Sequence, residues 1–375
     1  LTLLHGPDTI FMKVVFTSYQ WFGERRKMNG ADSIGLGVIG VGDIARNCLQ
    51  AVQHPKTGFR LAGLCALEEP ALDRSAAEFG AEYVTTDYAS LIAHPDVEAV
   101  AIYTPDVLHF PMIETALRAG KDVVVTKPMV ISSDQADRVL RLVEETGRKL
   151  VVGETSRYAL YCQAARRLVD DGDLGRLVFG ETHYVHDMRP VFDKTPWRYL
   201  EPKDFPIGSM CHPIALLSWF LGDVDEVFAY GVNSGVDPRY PAHTPDTYLV
   251  NVRFANGAIG RMLGAFGIIE PPLPMETLRL FGTRGSLVHD QVVFDRIPGK
   301  PTVTFEHAAE RGHDGEVRRY LEEFAREIRE GVPSSSSALD GAKTVAIGEA
   351  IKESVASGQP VTPRPVFVPS SLTTA

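Results

Sequence analysis

Between Ile34 and Ala45 the chain reads Ile-Gly-Leu-Gly-Val-Ile-Gly-Val-Gly-Asp-Ile-Ala, and this stretch limits what can be built on either side of it. It begins as a short apolar run, which suits a strand covered on both faces. The run breaks at Gly40-x-Gly42-x-x-Ala45 and continues with Ile44, Cys48, Leu49 and Val52 at helical spacing. Strand, glycine turn and helix, in that order, give the spacing its meaning as a dinucleotide-binding turn. Gly40 permits the tight turn, Gly42 lets a pyrophosphate approach the backbone, and Ala45 allows close packing of helix on strand. Asp43 and Ile44 open a helix whose N-terminal N–H groups would face the phosphates.

The next strand is expected over 60–67. An acid commonly meets the ribose hydroxyls at the end of such a strand, but Ala66 stands there, with Glu68 and Glu69 just beyond it. A carboxylate at Glu68 suits ribose hydroxyls and repels a 2′-phosphate, and no arginine comes before Arg74. NAD is therefore favoured, with NADP still open. Helices over 71–79, 110–119 and 136–146 alternate with strands over 97–103, 122–125 and 149–153, which means a parallel, doubly wound sheet. Two strand ends carry chemistry to one edge: Thr104-Pro105-Asp-Val-Leu-His109 and Thr126-Lys127-Pro128. Ligands bind at the carboxyl ends of such strands, so Thr104, Pro105, His109 and Lys127 are expected beside a cofactor.

A chain of 375 residues exceeds what one core usually serves (about 250–300 residues), so two domains are expected. The boundaries read as 30–155 for the parallel domain and 156–375 for the second. Residues 1–29 are a loose tail with no element periodicity, the folded protein beginning near Met28. Beyond 154 the rhythm changes to alternating strands over 177–185, 224–232, 247–254, 258–266 and 277–281, with Asn256-Gly257 as a hairpin turn. This is an open, mainly antiparallel sheet with one face left for substrate or a second subunit. The charges on a helix over 316–329 read as a solvated face, and Ser334 to Ser337 as a short polar loop. A net charge of −10 argues against nucleic acid and anionic membrane as partners. No apolar run reaches the ~18–20 residues of a membrane span. Cys48, Cys65, Cys162 and Cys211 are scattered and read as buried thiols of a reducing compartment, which points to the cytoplasm. His183, His186 and Asp187 lack a third spaced partner, so no metal is expected.

The ordered motifs resemble the glucose–fructose oxidoreductase/inositol dehydrogenase (Gfo/Idh/MocA) family over about residues 30–363. The series is the glycine turn, Thr-Pro-Asp-x-x-His at 104–109, Ala119-Gly-Lys121, Lys127-Pro128, Arg157-Tyr158, Gly175-Arg-Leu, Trp197-Arg198, Cys-His-Pro at 211–213, Phe281-Gly-Thr-Arg-Gly-Ser286 and Gly358-Gln-Pro-Val361. The resemblance implies a Rossmann domain followed by an α/β domain with an open sheet. It also implies an NAD(P)-dependent oxidoreductase acting on a secondary alcohol of a sugar, sugar acid or cyclitol. The family's Glu-Lys-Pro lysine maps onto Lys127, with Thr126 in place of the glutamate, and its active-site histidine onto His212. Trp197 and Arg198 map onto a pair facing cofactor and substrate; Arg157, Tyr158, Tyr184 and His186 are the remaining expected substrate contacts. Two family aspartates are absent, their positions being Gly208 and Ala215. That departure keeps two other readings open: a glycosidase or lyase-type relative that recycles its NAD, and a non-catalytic dinucleotide sensor. The resemblance further implies a homodimer or homotetramer.

Overall fold

The computed structural model describes residues 2–5, 10–13, 33–195, 204–305 and 313–370. The chain forms two compact units, each assembled from separated segments. One comprises Arg25–Tyr158, Glu310–Ala346 and Pro365–Ala375; the other Leu1–Glu24, Ala159–Ala309 and Ile347–Arg364. The chain passes from one to the other at Tyr158/Ala159, at Ala346/Ile347 and at Arg364/Pro365, among other points. The stretch expected to be a loose tail contains a hairpin, β1 (Thr2–His5) antiparallel to β2 (Ile10–Lys13).

In the first unit six strands form a wholly parallel sheet, in the order β5-β4-β3-β6-β7-β8. They are β3 (Ile34–Ile39), β4 (Phe59–Cys65), β5 (Val84–Thr85), β6 (Ala99–Ile102), β7 (Asp122–Thr126) and β8 (Leu150–Gly153). Between them run α1 (Asp43–Val52), α2 (Glu69–Phe79), α3 (Tyr88–Ala93), α4 (His109–Arg118) and α5 (Ser133–Thr146). The helix ends follow local chemistry. Asp87 accepts from the N–H groups of Ala89 and Ser90 to start α3, and the Ser132 hydroxyl accepts from Gln135 to start α5. Strand order reverses direction between β3 and β6, so their carboxyl ends form the edge at which such sheets bind ligands.

The second unit holds an eight-stranded sheet in the order β10-β11-β12-β9-β13-β14-β15-β16. These are β9 (Leu177–Val185), β10 (Val224–Val232), β11 (Thr247–Phe254), β12 (Ile259–Ala265), β13 (Glu276–Gly282), β14 (Gly285–Val288), β15 (Gln291–Phe294) and β16 (Val303–Thr304). Only the β9–β12 pairing is parallel. The helices are α6 (Leu160–Asp170), α7 (Arg189–Lys194), α8 (Phe205–Gly208) and α9 (Cys211–Leu221). Helix α9 is apolar almost all round and lies buried across β9 and β12. It comes close enough that a Cβ on Gly180 would stand 2.6 Å from Leu221 Cδ1 and 2.7 Å from Leu217 Cδ1, so a larger residue there would require those leucines to shift.

Two helices return late in the chain: α10 (Asp314–Glu330) joins the parallel unit, and α11 (Ala338–Ser357) begins in that unit and ends in the other. Val317, Tyr320, Leu321 and Phe324 of α10 share one core with Leu36, Ala45, Leu49 and Phe59. On the face of α10 expected to be solvated the arginines at 318, 319 and 326 are half-buried, but Glu322 and Glu323 are only 8% exposed, and so is neighbouring Glu327 at 6%. Burial is tolerated because donors meet the carboxylates. Glu327 accepts from Ser334 N–H and hydroxyl, and Glu323 from Ser335 N–H and hydroxyl and from the Tyr158 hydroxyl. The serine run is therefore a set of donors for buried glutamates.

Candidate functional site

The glycine turn is built as its spacing requires. Gly40 has φ +98°, and a Cβ there would lie 2.3 Å from the Tyr103 carbonyl oxygen, inside contact distance. Gly40 N–H donates to Cys65 O at 2.8 Å and Tyr103 N–H to Ile39 O at 2.8 Å, fixing the ends of three strands together. Gly42 is the N-cap of α1, and no side chain caps that helix. A Cβ on Gly42 would meet nothing within 4 Å, and Gly42, Asp43 and Ile44 are exposed. The first turn of α1 thus presents N–H groups and positive dipole to open space, which fits the pyrophosphate of a dinucleotide. Glu68 is exposed three residues past β4, where it can meet a ribose.

On the same edge, Thr104 follows β6 and Lys127 follows β7; both are half-buried. The Thr104 hydroxyl donates to Met112 Sδ at 3.5 Å, and the Lys127–Pro128 peptide is cis. Pro105 is half-buried and starts a 3-10 turn over Asp106–Leu108. His109 departs from expectation. It is fully buried, its Nδ1 2.8 Å from Pro128 O and its Nε2 3.0 Å from Thr104 O. Each ring nitrogen faces a backbone carbonyl, so the ring links the turn after β6 to the turn after β7.

The second unit brings Tyr184, His186 and His212 together. His212 lies in the first turn of α9 and is 5% exposed; its ring centroid is 4.8 Å from that of Tyr184 on β9. Pro213 is tolerated beside it because the first helical turn needs no N–H there. The His186 ring meets Tyr184 edge-on at 5.4 Å, and Phe266 lies 5.9 Å from Tyr184 and 4.7 Å from Phe205, which it stacks on. Phe205 and Phe266 carry no sequence signal beyond an isolated aromatic, and only the fold makes them the backing of this cluster. Strand alternation holds for His183, which turns to the other face and bonds Thr277 and Pro274.

Two expected substrate contacts belong to the interior of the parallel unit instead. Arg157 is 1% exposed; it ion-pairs with Asp340 at 3.2 Å and donates to Ser335 O at 2.5 Å. Tyr158 is 1% exposed, donates its hydroxyl to Glu323 at 2.9 Å, and packs edge-on against Tyr320. Tyr158 thus anchors α10, and Arg157 anchors the serine loop and the start of α11. Arg189 is also committed: its guanidinium bonds both oxygens of Asp187 and holds that carboxyl below the usual range. Asp204, the acid preceding Gly208, caps α8 and pairs with Lys352, so it does not stand in for the missing aspartate. Trp197 and Arg198 lie outside the described residues. Among the described residues no group of three or more His, Cys, Asp or Glu is arranged to hold a metal.

Comparison with known proteins agrees with this geometry. Residues 34–154 match the model of an oxidoreductase family with an NAD-binding Rossmann fold, GFO_IDH_MocA, and residues 162–288 match the GFO/IDH/MocA C-terminal domain. Inositol 2-dehydrogenase of Rubrobacter xylanophilus is 27% identical over 341 residues, covering 88% of this chain and 93% of that protein. Levoglucosan dehydrogenase of Pseudarthrobacter phenanthrenivorans is 24% identical over 380 residues, covering 86% and 96%. Among solved structures, an oxidoreductase from Agrobacterium radiobacter in complex with NAD+, L-tartaric acid and magnesium has the same fold, with a TM-score of 0.78 at 22% identity over 88% of this chain and 98% of that one. The glycine turn with its uncapped helix, the sheet order and both family models lead to one assignment: the chain belongs to the Gfo/Idh/MocA family of oxidoreductases with an NAD-binding Rossmann domain.

Proposed function

We propose that the protein interconverts a secondary alcohol and a ketone on an uncharged sugar or cyclitol, using NAD. The observation that carries this is the shared sheet edge: half-buried Lys127 ends β7 where the open N-terminus of α1 ends the β3 turn. Bound NAD supplies a hydride acceptor at C4 of its nicotinamide. Lys127 hydrogen-bonds the reacting oxygen through Nζ and stabilises the charge that develops there as the C–H bond breaks. A ring nitrogen of His212 takes the hydroxyl proton and returns it in the reverse direction. Tyr184 and His186 orient the substrate's other hydroxyls, and Glu68 receives the adenosine ribose, which favours NAD over NADP. Two arginines that would suit an acidic substrate, Arg157 and Arg189, are already paired with Asp340 and Asp187, which supports an uncharged one. The inositol and levoglucosan dehydrogenases among the relatives point the same way.

The test is a panel of cyclitols and anhydrosugars with NAD, followed at 340 nm. Stoichiometric NADH with at least one member, lost by about 10²–10⁴-fold in Lys127→Ala protein that still binds NAD, is the expected result. Turnover of a substrate without net NADH would indicate a cofactor-recycling enzyme. Binding of NAD with no turnover across the panel would indicate a sensor.

The outer face of the eight-stranded sheet exposes Tyr230, Val232, Leu249, Ile259 and Phe281, with Glu181 bonded between Arg261 and Arg279. A second copy of the chain covers that face in a homodimer or homotetramer, which light scattering on the purified protein would test. None of the four cysteines is in a disulfide, and no helix among the described residues is long and apolar enough to cross a membrane. A cytoplasmic location belongs to the same proposal.

A further inference from the structure

His109 occupies the first position of α4 and is fully buried, yet its ring reaches the turns that end two neighbouring strands. Nδ1 lies 2.8 Å from the Pro128 carbonyl oxygen and Nε2 3.0 Å from that of Thr104. Strands β6 and β7 are paired in the sheet, and Pro128 directly follows Lys127. One rigid ring therefore spans from the β6 turn to the dipeptide that carries Lys127. Carbonyl oxygens only accept, so a neutral ring donates to one of the two and an imidazolium to both. No other side chain offers two N–H positions on opposite sides of a flat ring; a glutamine amide presents both its donors from one atom.

We propose that His109 is a positioning residue for Lys127: it ties the 126–128 turn to the 104–105 turn and so sets where the lysine stands above the sheet edge. The inference rests on the reading of Lys127 as the group that polarises the reacting oxygen. Misplacement by ~1 Å is enough to cost ~10²-fold in rate, so a tie of this kind acts on turnover while leaving cofactor affinity nearly alone.

The experiment uses the full chain as wild type, His109→Ala, His109→Gln and Lys127→Ala. Amide hydrogen exchange is followed in peptides covering 103–108 and 126–131, alongside NAD affinity and NADH formation from myo-inositol. In His109→Ala, exchange rises about tenfold or more in both peptides while β3 keeps wild-type protection. NAD affinity stays within about threefold, kcat falls about 10- to 100-fold with little change in KM, and added imidazole restores part of both losses. His109→Gln loses protection in one of the two peptides only. Unchanged exchange at 126–131 in folded His109→Ala overturns the proposal, as does wild-type kcat in that variant. Lys127→Ala that keeps full turnover overturns the role of Lys127 instead, and leaves the exchange measurement to decide the tie by itself.

Discussion

The rings of Tyr184 and His212 lie 4.8 Å apart at 41°, one side chain from the middle strand β9 and the other from the first turn of α9. Helix α9 packs on β9 at Gly180 through Leu217 and Leu221, and Phe266 lies 5.9 Å from the tyrosine ring. Such a pair contributes about 0.5–1.5 kcal/mol beyond its buried area, mostly to orientation of the imidazole. Tyr184→Phe keeps the ring and removes the hydroxyl; Tyr184→Ala removes both. If the ring positions His212, kcat falls about 10- to 100-fold in Tyr184→Ala and stays within about threefold in Tyr184→Phe. Equal losses in the two variants would assign the effect to the hydroxyl, and so to a direct substrate contact.

Two glycines of one turn separate folding from cofactor binding. At Gly40 a Cβ would strike the Tyr103 carbonyl and φ is positive, so Gly40→Ala should destabilise the parallel unit by about 1–3 kcal/mol, seen as a lower Tm. At Gly42 a side chain meets no protein atom, so Gly42→Val should melt close to wild type. Its bulk would instead occupy the space of the pyrophosphate and weaken NAD about tenfold or more by calorimetry. Unchanged NAD affinity in Gly42→Val would refute the placement of the phosphates.

Arg157 offers a direct choice between a structural and a substrate role. Removing its side chain leaves Asp340 and the Ser335 carbonyl without their buried partner. Arg157→Ala is expected to cost about 3 kcal/mol in chemical denaturation, while the folded fraction keeps its KM. A KM that rises with stability intact would restore Arg157 to the substrate site.

Burial is the main reason the Glu327 carboxyl titrates above its ordinary 4.5, opposed by the Ser334 donors. A raised carboxyl pKa favours the protonated, folded form. That contribution is fully present below the unfolded pKa and is lost as pH rises through the folded value. Glu327→Gln keeps an acceptor for Ser334 and cannot ionise, so its stability relative to wild type should improve from about pH 4 toward about pH 7. Paired denaturant titrations across that range would show a constant difference if the charge were not involved.

Much of this was legible in local sequence because the causes are local. A strand, a glycine turn and a helix within twelve residues need no distant partner, and caps such as Asp87 and Ser132 act on N–H groups two and three residues away. Strands with alternating faces appeared where alternation placed them, β9, β10 and β11 at their expected limits. The errors fell where a residue's surroundings come from far along the chain. Glu323 and Glu327 look like any solvated helical charges until the serine run meets them, and Arg157 looks like a surface arginine until Asp340, 183 positions later, closes on it. His109 has helix-start chemistry in the sequence, and only the pairing of β6 with β7 sets two carbonyls opposite its ring.

The sequence by itself determined the dinucleotide turn, the parallel sheet it opens and the family, because periodicity, glycine spacing and the order of motifs are properties of the chain alone. Only the tertiary structure decided which charged and aromatic side chains are buried and with whom they pair. Burial and hydrogen-bond partners are set by segments as distant as Tyr103 and Tyr320, whose hydroxyls meet where α10 packs beneath the glycine turn. Arg157, Glu323 and Glu327 are paired inside the parallel unit in this way, whereas Lys127 stands half-buried at the carboxyl edge of its sheet and the Tyr184–His212 pair lies where α9 meets β9.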